Sequence, residues 1–187
     1  MARPTHTLLF TAVMTAALGA SHPVHATHGQ SPETLEIPAP PAVRRVRSED
    51  PTLSDLVRRV TTRSITFRGL VEAIARTDGI VYVEHGRCRG SRACLEWLAN
   101  AGPNRLLRVV IDPSKTEREA AASIAHELQH ARELFEDSTA KSAAEMQGFF
   151  MRIGVRRGYS FETHAAIAAG DAVASELDIW ARSGQTP

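Results

Sequence analysis

The chain is 187 residues long, 43% hydrophobic and 23% charged, a size and composition that suit one domain with its own core. Its 22 basic and 21 acidic side chains leave a formal net charge of +1 with the histidines neutral. That excludes nucleic acid or an anionic bilayer as a partner held by bulk charge, and beyond the N-terminal segment no apolar run is long enough to span a membrane.

Met1-Ala2-Arg3 is a short basic start, and residues 7–20 (TLLFTAVMTAALGA) are uncharged and mostly apolar. That run is too short for a transmembrane helix and too uniformly apolar for an amphipathic anchor. Val24-His25-Ala26 then offers small or tolerated residues to a signal peptidase. Residues 1–26 are therefore expected to be a signal peptide cut after Ala26, with Ala20 as the second choice. The product is expected to be exported, periplasmic or secreted, without stable membrane insertion. Residues 27–51 hold Pro38, Pro40 and Pro41 and scattered charge without periodicity, which predicts a flexible linker. His22, His25 and His28 fall near the cut and read as part of a flexible segment rather than as a metal-binding tract.

Residues 52–187 are expected to form the folded domain. Thr52 is a candidate helix cap after Pro51, and Leu53, Leu56, Val57 and Val60 repeat at helical spacing. A second helix is expected over residues 66–76, with Phe67, Leu70, Val71 and Ile74 inward and Gly79 as its stop. Residues 80–84 (IVYVE) are short and β-branched, hence a strand. Residues 94–98 continue as strand or as a short helical turn, and Ala101-Gly102-Pro103-Asn104 is a turn. Residues 106–111 make the last strand, which Asp112-Pro113 ends. Further helices are expected over residues 116–136, 138–155 and 161–182, the last with Ile167, Val173, Leu177 and Trp180 in its apolar set. Helices, a small sheet, then helical support make an α+β arrangement.

Cys88 and Cys94 are the only cysteines. An even count in an exported chain predicts a disulfide closing a small loop, and the spacing is wider than zinc-binding pairs use.

The chemistry is concentrated in Ile124-Ala125-His126-Glu127-Leu128-Gln129-His130, an H-E-x-x-H set. Two histidines four residues apart share one face of a helix, so their imidazoles can bind one Zn²⁺. The glutamate beside the first can deprotonate a water there. With eight histidines in the chain, chance can produce the pattern, so its context decides. Residues 116–136 contain no Pro or Gly, Thr116 and Glu119 make a capping box, and Ile124, Leu128, Ala131 and Phe135 form an apolar stripe beside the histidines.

A catalytic zinc site needs a third protein ligand and an open position. Three carboxylates compete for the role. Glu162 is expected in the first turn of the last helix, where negative charge is favoured. Glu145 lies among alanines in the middle of an expected helix. Glu133 shares the histidine face, but three ligands along one helix axis close poorly around a tetrahedral ion.

The segment H-E-L-Q-H-A-R-E, followed by a helix and then F-E-T-H-A-A, resembles small exported bacterial zincin-like proteins. It is similar, more loosely, to gluzincin peptidases, whose third ligand is a glutamate on a helix downstream of H-E-x-x-H. The resemblance covers roughly the C-terminal half. It implies a zincin-like fold, a small β-sheet followed by an active-site helix and C-terminal helices, with Zn²⁺ as cofactor. It also implies His126, His130 and Glu162 as metal ligands, Glu127 as general base, and a peptide or protein as substrate. No longer metzincin histidine run follows His130. Tyr159, Arg156, Arg157 and His164 are candidates for a second oxyanion stabiliser. By analogy of fold, a substrate strand would add beside residues 106–111 or beside the strand at Ile80. Two other readings stand alongside: a non-catalytic zincin scaffold that binds metal or a partner, and a helical interaction protein carrying the motif by chance.

Overall fold

The computed structural model describes residues 45–158 and 160–184. The expected signal peptide with its cut, and the linker up to residue 44, lie outside them.

Helix α1 (Pro51–Arg63) is capped by Asp50 rather than Thr52: the carboxylate accepts from the Thr52 and Leu53 amides, while Pro51 takes the first helical position, where no amide hydrogen is needed. Ser64 ends this helix and begins α2 (Ile65–Ala75), its hydroxyl accepting from the Phe67 amide. The inward sets expected for both helices are buried.

A four-stranded sheet follows, built of β1 (Val46–Arg47), β2 (Gly79–His85), β3 (Ala93–Ala101) and β4 (Asn104–Ile111), in the order β1-β2-β4-β3. The first three neighbours run parallel, and β3 is antiparallel to β4. Strand β1 lies within the expected linker. A two-residue strand carries no periodicity, and only its pairing with Val81 and Tyr82 defines it. The β3–β4 loop is tight because Gly102 takes φ +57 at its first central position and Pro103 the second, the type II′ pattern. Val81, Val83, Leu107, Val109 and Ile111 are fully buried on one face of the sheet. The other face is half-exposed, and Arg108 crosses three strands there to reach Glu84 and Glu96.

Helix α3 (Glu117–Glu136) begins with the expected Thr116–Glu119 capping box and runs through the middle of the core. Ile124, Ala125, Leu128, Ala131 and Leu134 are wholly buried. Its C-terminal carbonyls meet a buried cation, Arg105, which donates to the oxygens of Leu134, Phe135, Asp137 and Ala140 and pairs with Asp78 at 2.6 Å. Gly79 opens β2 instead of stopping a helix. A Cβ there would lie 2.1 Å from the Phe135 ring, so only glycine lets that ring close on the sheet.

Beyond α3 the chain is not helical throughout, as the sequence suggested. Helix α4 (Ala143–Ile153) leads into a hairpin of β5 (Val155–Arg157) and β6 (Ser160–Glu162), turned at Gly158 with φ +61. Helix α5 (His164–Ser183) begins only after Thr163, its cap. Glu162 is thus the last residue of a strand, not the first turn of a helix. Within α5, Val173 is buried, but Ile167 and Trp180 are exposed at 36% and 46%. The helix packs closely on α3 at Gly170, where a Cβ would meet the Ala122 carbonyl at 3.1 Å and the His126 Cβ at 3.5 Å. Among the described residues no helix is long and apolar enough to cross a membrane. The fold is α+β, with the described helices and a small mixed sheet.

Candidate metal centre

His126 and His130 project from one face of α3, with ring centroids 4.9 Å apart and planes at 78°. Their helical spacing fixes this. The β5–β6 hairpin carries Glu162 up to them from a separate element. Oε2 of Glu162 lies 2.8 Å from Nε2 of His126 and 3.9 Å from Nε2 of His130. All three donor atoms fall within 4.8 Å of one another. Ligand atoms arranged tetrahedrally about zinc at roughly 2.0–2.2 Å stand roughly 3.3 Å apart, so small side-chain adjustments would bring this trio to bonding separation.

The disposition of the Glu162 oxygens bears on whether a cation fits. Oε1 accepts from the Ser160 hydroxyl at 3.2 Å. Oε2 is buried and, among the described residues, has no hydrogen bond aligned on it, close though the His126 nitrogen is. A buried anionic oxygen without a donor costs free energy, and a metal shared with the two imidazoles would remove that cost. The donor set, two nitrogens and one carboxylate oxygen, suits zinc.

The other two carboxylates occupy different places. Glu145 is exposed at the start of α4, where its Oε2 accepts from the Lys141 amide and the Ser142 hydroxyl. It serves that helix end and does not approach the histidines closely enough to join the cluster. Glu133 lies 3.3 Å from Nδ1 of His130, on the ring edge away from Glu162. Thr163 donates to Glu133 at 2.9 Å and Gln129 at 3.1 Å. This carboxylate fixes the orientation of the imidazole, as outer partners of metal-binding histidines do. The signal for it was its place three residues after His130 on the same face. Thr163, whose hydroxyl also caps α5, couples the hairpin to that arrangement.

Electrostatics separates the two rings. Burial, with His130 nearby, depresses the His126 pKa and favours its neutral, ligating form. For His130 burial works the same way, but the carboxylates of Glu133 and Glu162, one beside each ring nitrogen, overcome it and raise the pKa to about 9. Glu127 is 7% exposed. Burial drives its carboxyl up to about 7, against the attraction of His130, which is the range of a group that takes and returns protons near neutrality. Phe150 stands edge-on to His130, with centroids 5.1 Å apart, and closes one side of the site.

Two cavities meet here. One, of about 420 Å³, lies between β3 and α4, and the other, of about 430 Å³, between the start of α3 and α5; His126 and Glu127 line both. The strand along the first is β3, the edge of the sheet, whereas β4 and β2, expected to flank the cleft, are interior strands. The sequence left residues 94–98 open between strand and helix, so β3 could not be assigned this place. Of the expected oxyanion stabilisers, Arg156, Arg157 and His164 are exposed and line neither cavity. Tyr159 lies outside the described residues. Cys88 and Cys94 form a disulfide, with Cα atoms 6.0 Å apart, and the loop it closes leads directly into β3.

Comparison with known protein families, with curated proteins and with solved structures finds no match.

Proposed function

We propose that this chain is an exported zinc-dependent hydrolase of the zincin-like, gluzincin type, acting on peptide bonds. Ligation is assigned to His126, His130 and Glu162, and general-base catalysis to Glu127. The observation that supports this most is the donorless buried oxygen of Glu162 beside both imidazoles, in a cleft that also holds a Glu127 carboxyl poised near neutrality. When bound, zinc supplies Lewis acidity to a water and to the substrate carbonyl. Glu127 takes the proton of the attacking water and returns it to the departing amine. Glu133 holds the His130 ring through Nδ1, so its other nitrogen stays directed at Glu162. Among the described residues no strand pairs with the outer edge of β3, so an extended peptide can lie there as an added strand, which orients the scissile bond without regard to side chains. Export is supported by the disulfide, which persists in oxidising compartments.

The test is hydrolysis of an unfolded protein substrate by zinc-loaded protein. Cleavage should disappear on chelation and in Glu127→Gln. Zinc uptake without cleavage would favour a non-catalytic metal-binding scaffold. Cleavage that survives Glu127→Gln would contradict the assigned base.

A further inference from the structure

The partly buried hydrophobic side chains packed against the core are Ala93, Leu95, Trp97, Met146, Phe161 and Leu177. All but Leu177 line one cavity, that of about 420 Å³ beneath β3. Their half-covered apolar surface is thus gathered in one place, beside the candidate metal centre. Phe150 completes the wall where it stands edge-on to His130, and Phe161 directly precedes Glu162 in β6. The cavity on the α5 side has no such bias: its carboxylates Glu119, Glu127 and Asp171 match its cations Arg92, Lys115 and Arg118, so it selects neither sign of charge.

The register of β3 joins the apolar cavity to the strand edge. In an antiparallel ladder, only alternate opposed residues exchange backbone hydrogen bonds. The Asp112 amide donates to the Arg92 carbonyl at 3.1 Å, one step beyond the Ala93–Ile111 pairing. Cys94–Val110 and Glu96–Arg108 are therefore the bonded pairs, and the amide and carbonyl of Leu95 between them point away from β4, to the open edge. The Leu95 side chain shares the face of its opposed partner Val109, which is fully buried, so it lies on the core side of the sheet. Residues 93–97 line the cavity without a break, although Glu96 turns its carboxylate to Arg108 on the other face. The cavity therefore runs along the backbone edge as well as beneath the core face. A peptide residue set opposite Leu95 on an added strand shares that core face, and its side chain enters the cavity.

We infer that this cavity selects a large apolar side chain of the bound peptide, that of the residue opposite Leu95, with Trp97 and Met146 as specificity-determining residues. This rests on the zincin-type reading of the site and adds the substrate class: unfolded chain with a leucine-sized or aromatic residue next to the scissile bond. Apolar surface already removed from most of its water favours an apolar occupant, and the volume has room for far more than a methyl group.

Calorimetric titration of zinc-loaded Glu127→Gln, which cannot turn substrate over, tests this with peptides acetyl-Ala-Ala-Xaa-Ala-Ala-amide. Xaa is leucine, phenylalanine, alanine or glutamine, the last matching leucine in bulk but not in polarity. The leucine or phenylalanine peptide should bind about tenfold more tightly than the alanine and glutamine peptides. Adding Trp97→Ala or Met146→Arg should remove most of that preference while zinc affinity stays as before. Equal binding of all four peptides, no binding of any, or a preference that survives both substitutions would overturn the inference. Selective binding without cleavage by the wild-type protein would keep the apolar site and remove the hydrolase reading; cleavage without selectivity would do the reverse.

Discussion

Arg105 shows what single residues decide in this fold. It is 2% exposed, yet its guanidinium is fully used, by Asp78 and by four carbonyls at and beyond the end of α3. Removing it leaves a carboxylate and several buried acceptors unpaired, so Arg105→Met should cost about 3–5 kcal/mol in urea unfolding. Its partner gives a pH signature. Burial pushes the Asp78 pKa up, but the hydrogen bonds and charge of Arg105 and Lys141 hold it below the ordinary carboxylate value. A depressed pKa contributes stability above the unfolded value of roughly 3.9, which is lost as pH falls through the lower folded value. Asp78→Asn should therefore unfold at lower urea than wild type at neutral pH, and the gap should close in strong acid. Within the site, Glu133→Gln should weaken zinc binding about 10–100-fold without unfolding the protein, read by competition with a chelating dye. The sequence showed His126 and His130 because their spacing alone puts both on one helix face, and Glu127 because it directly follows the first. It could not show Arg105, since an arginine in an alternating strand reads as solvent-facing until the end of α3 is seen to cover it.

At the scale of elements, the site is made where α3, the β5–β6 hairpin and α5 converge. Gly170 sets the approach of α5, and there is too little room there for a methyl group beside the Ala122 carbonyl. Gly170→Ala should destabilise by about 1–3 kcal/mol and lower zinc affinity as well, because His126 lies under the same contact; thermal melts with and without zinc separate the two effects. The Cys88–Cys94 link closes a short loop, so its removal by paired serine substitutions should cost about 2 kcal/mol through freedom regained by the unfolded chain. The α3 boundaries and its capping box were legible because a Pro- and Gly-free amphipathic run carries its own signal. The hairpin was not, since each strand has only three residues, too few for an alternation to register. That is why Glu162 was expected on a helix, although its partnership with the histidines did not depend on the element that carries it.

At the scale of the whole described chain, the arrangement reduces to a core helix that carries His126, Glu127 and His130, a short hairpin that brings Glu162 across to both imidazoles, and a sheet edge that borders the cleft. The order of helices and strands was sufficient to place it in the α+β class, because each long element has a clear period. The strand order was not readable, since β1 is too short to announce itself and β3 left its own type ambiguous. The central claim is that a metal ion joins His126, His130 and Glu162, and zinc titration of the wild-type protein, Glu162→Ala and Glu145→Ala tests it most directly. The account predicts about one zinc per wild-type chain, an affinity lower by at least about a hundredfold in Glu162→Ala, and no change in Glu145→Ala. Equal zinc affinity in wild type and Glu162→Ala would contradict it.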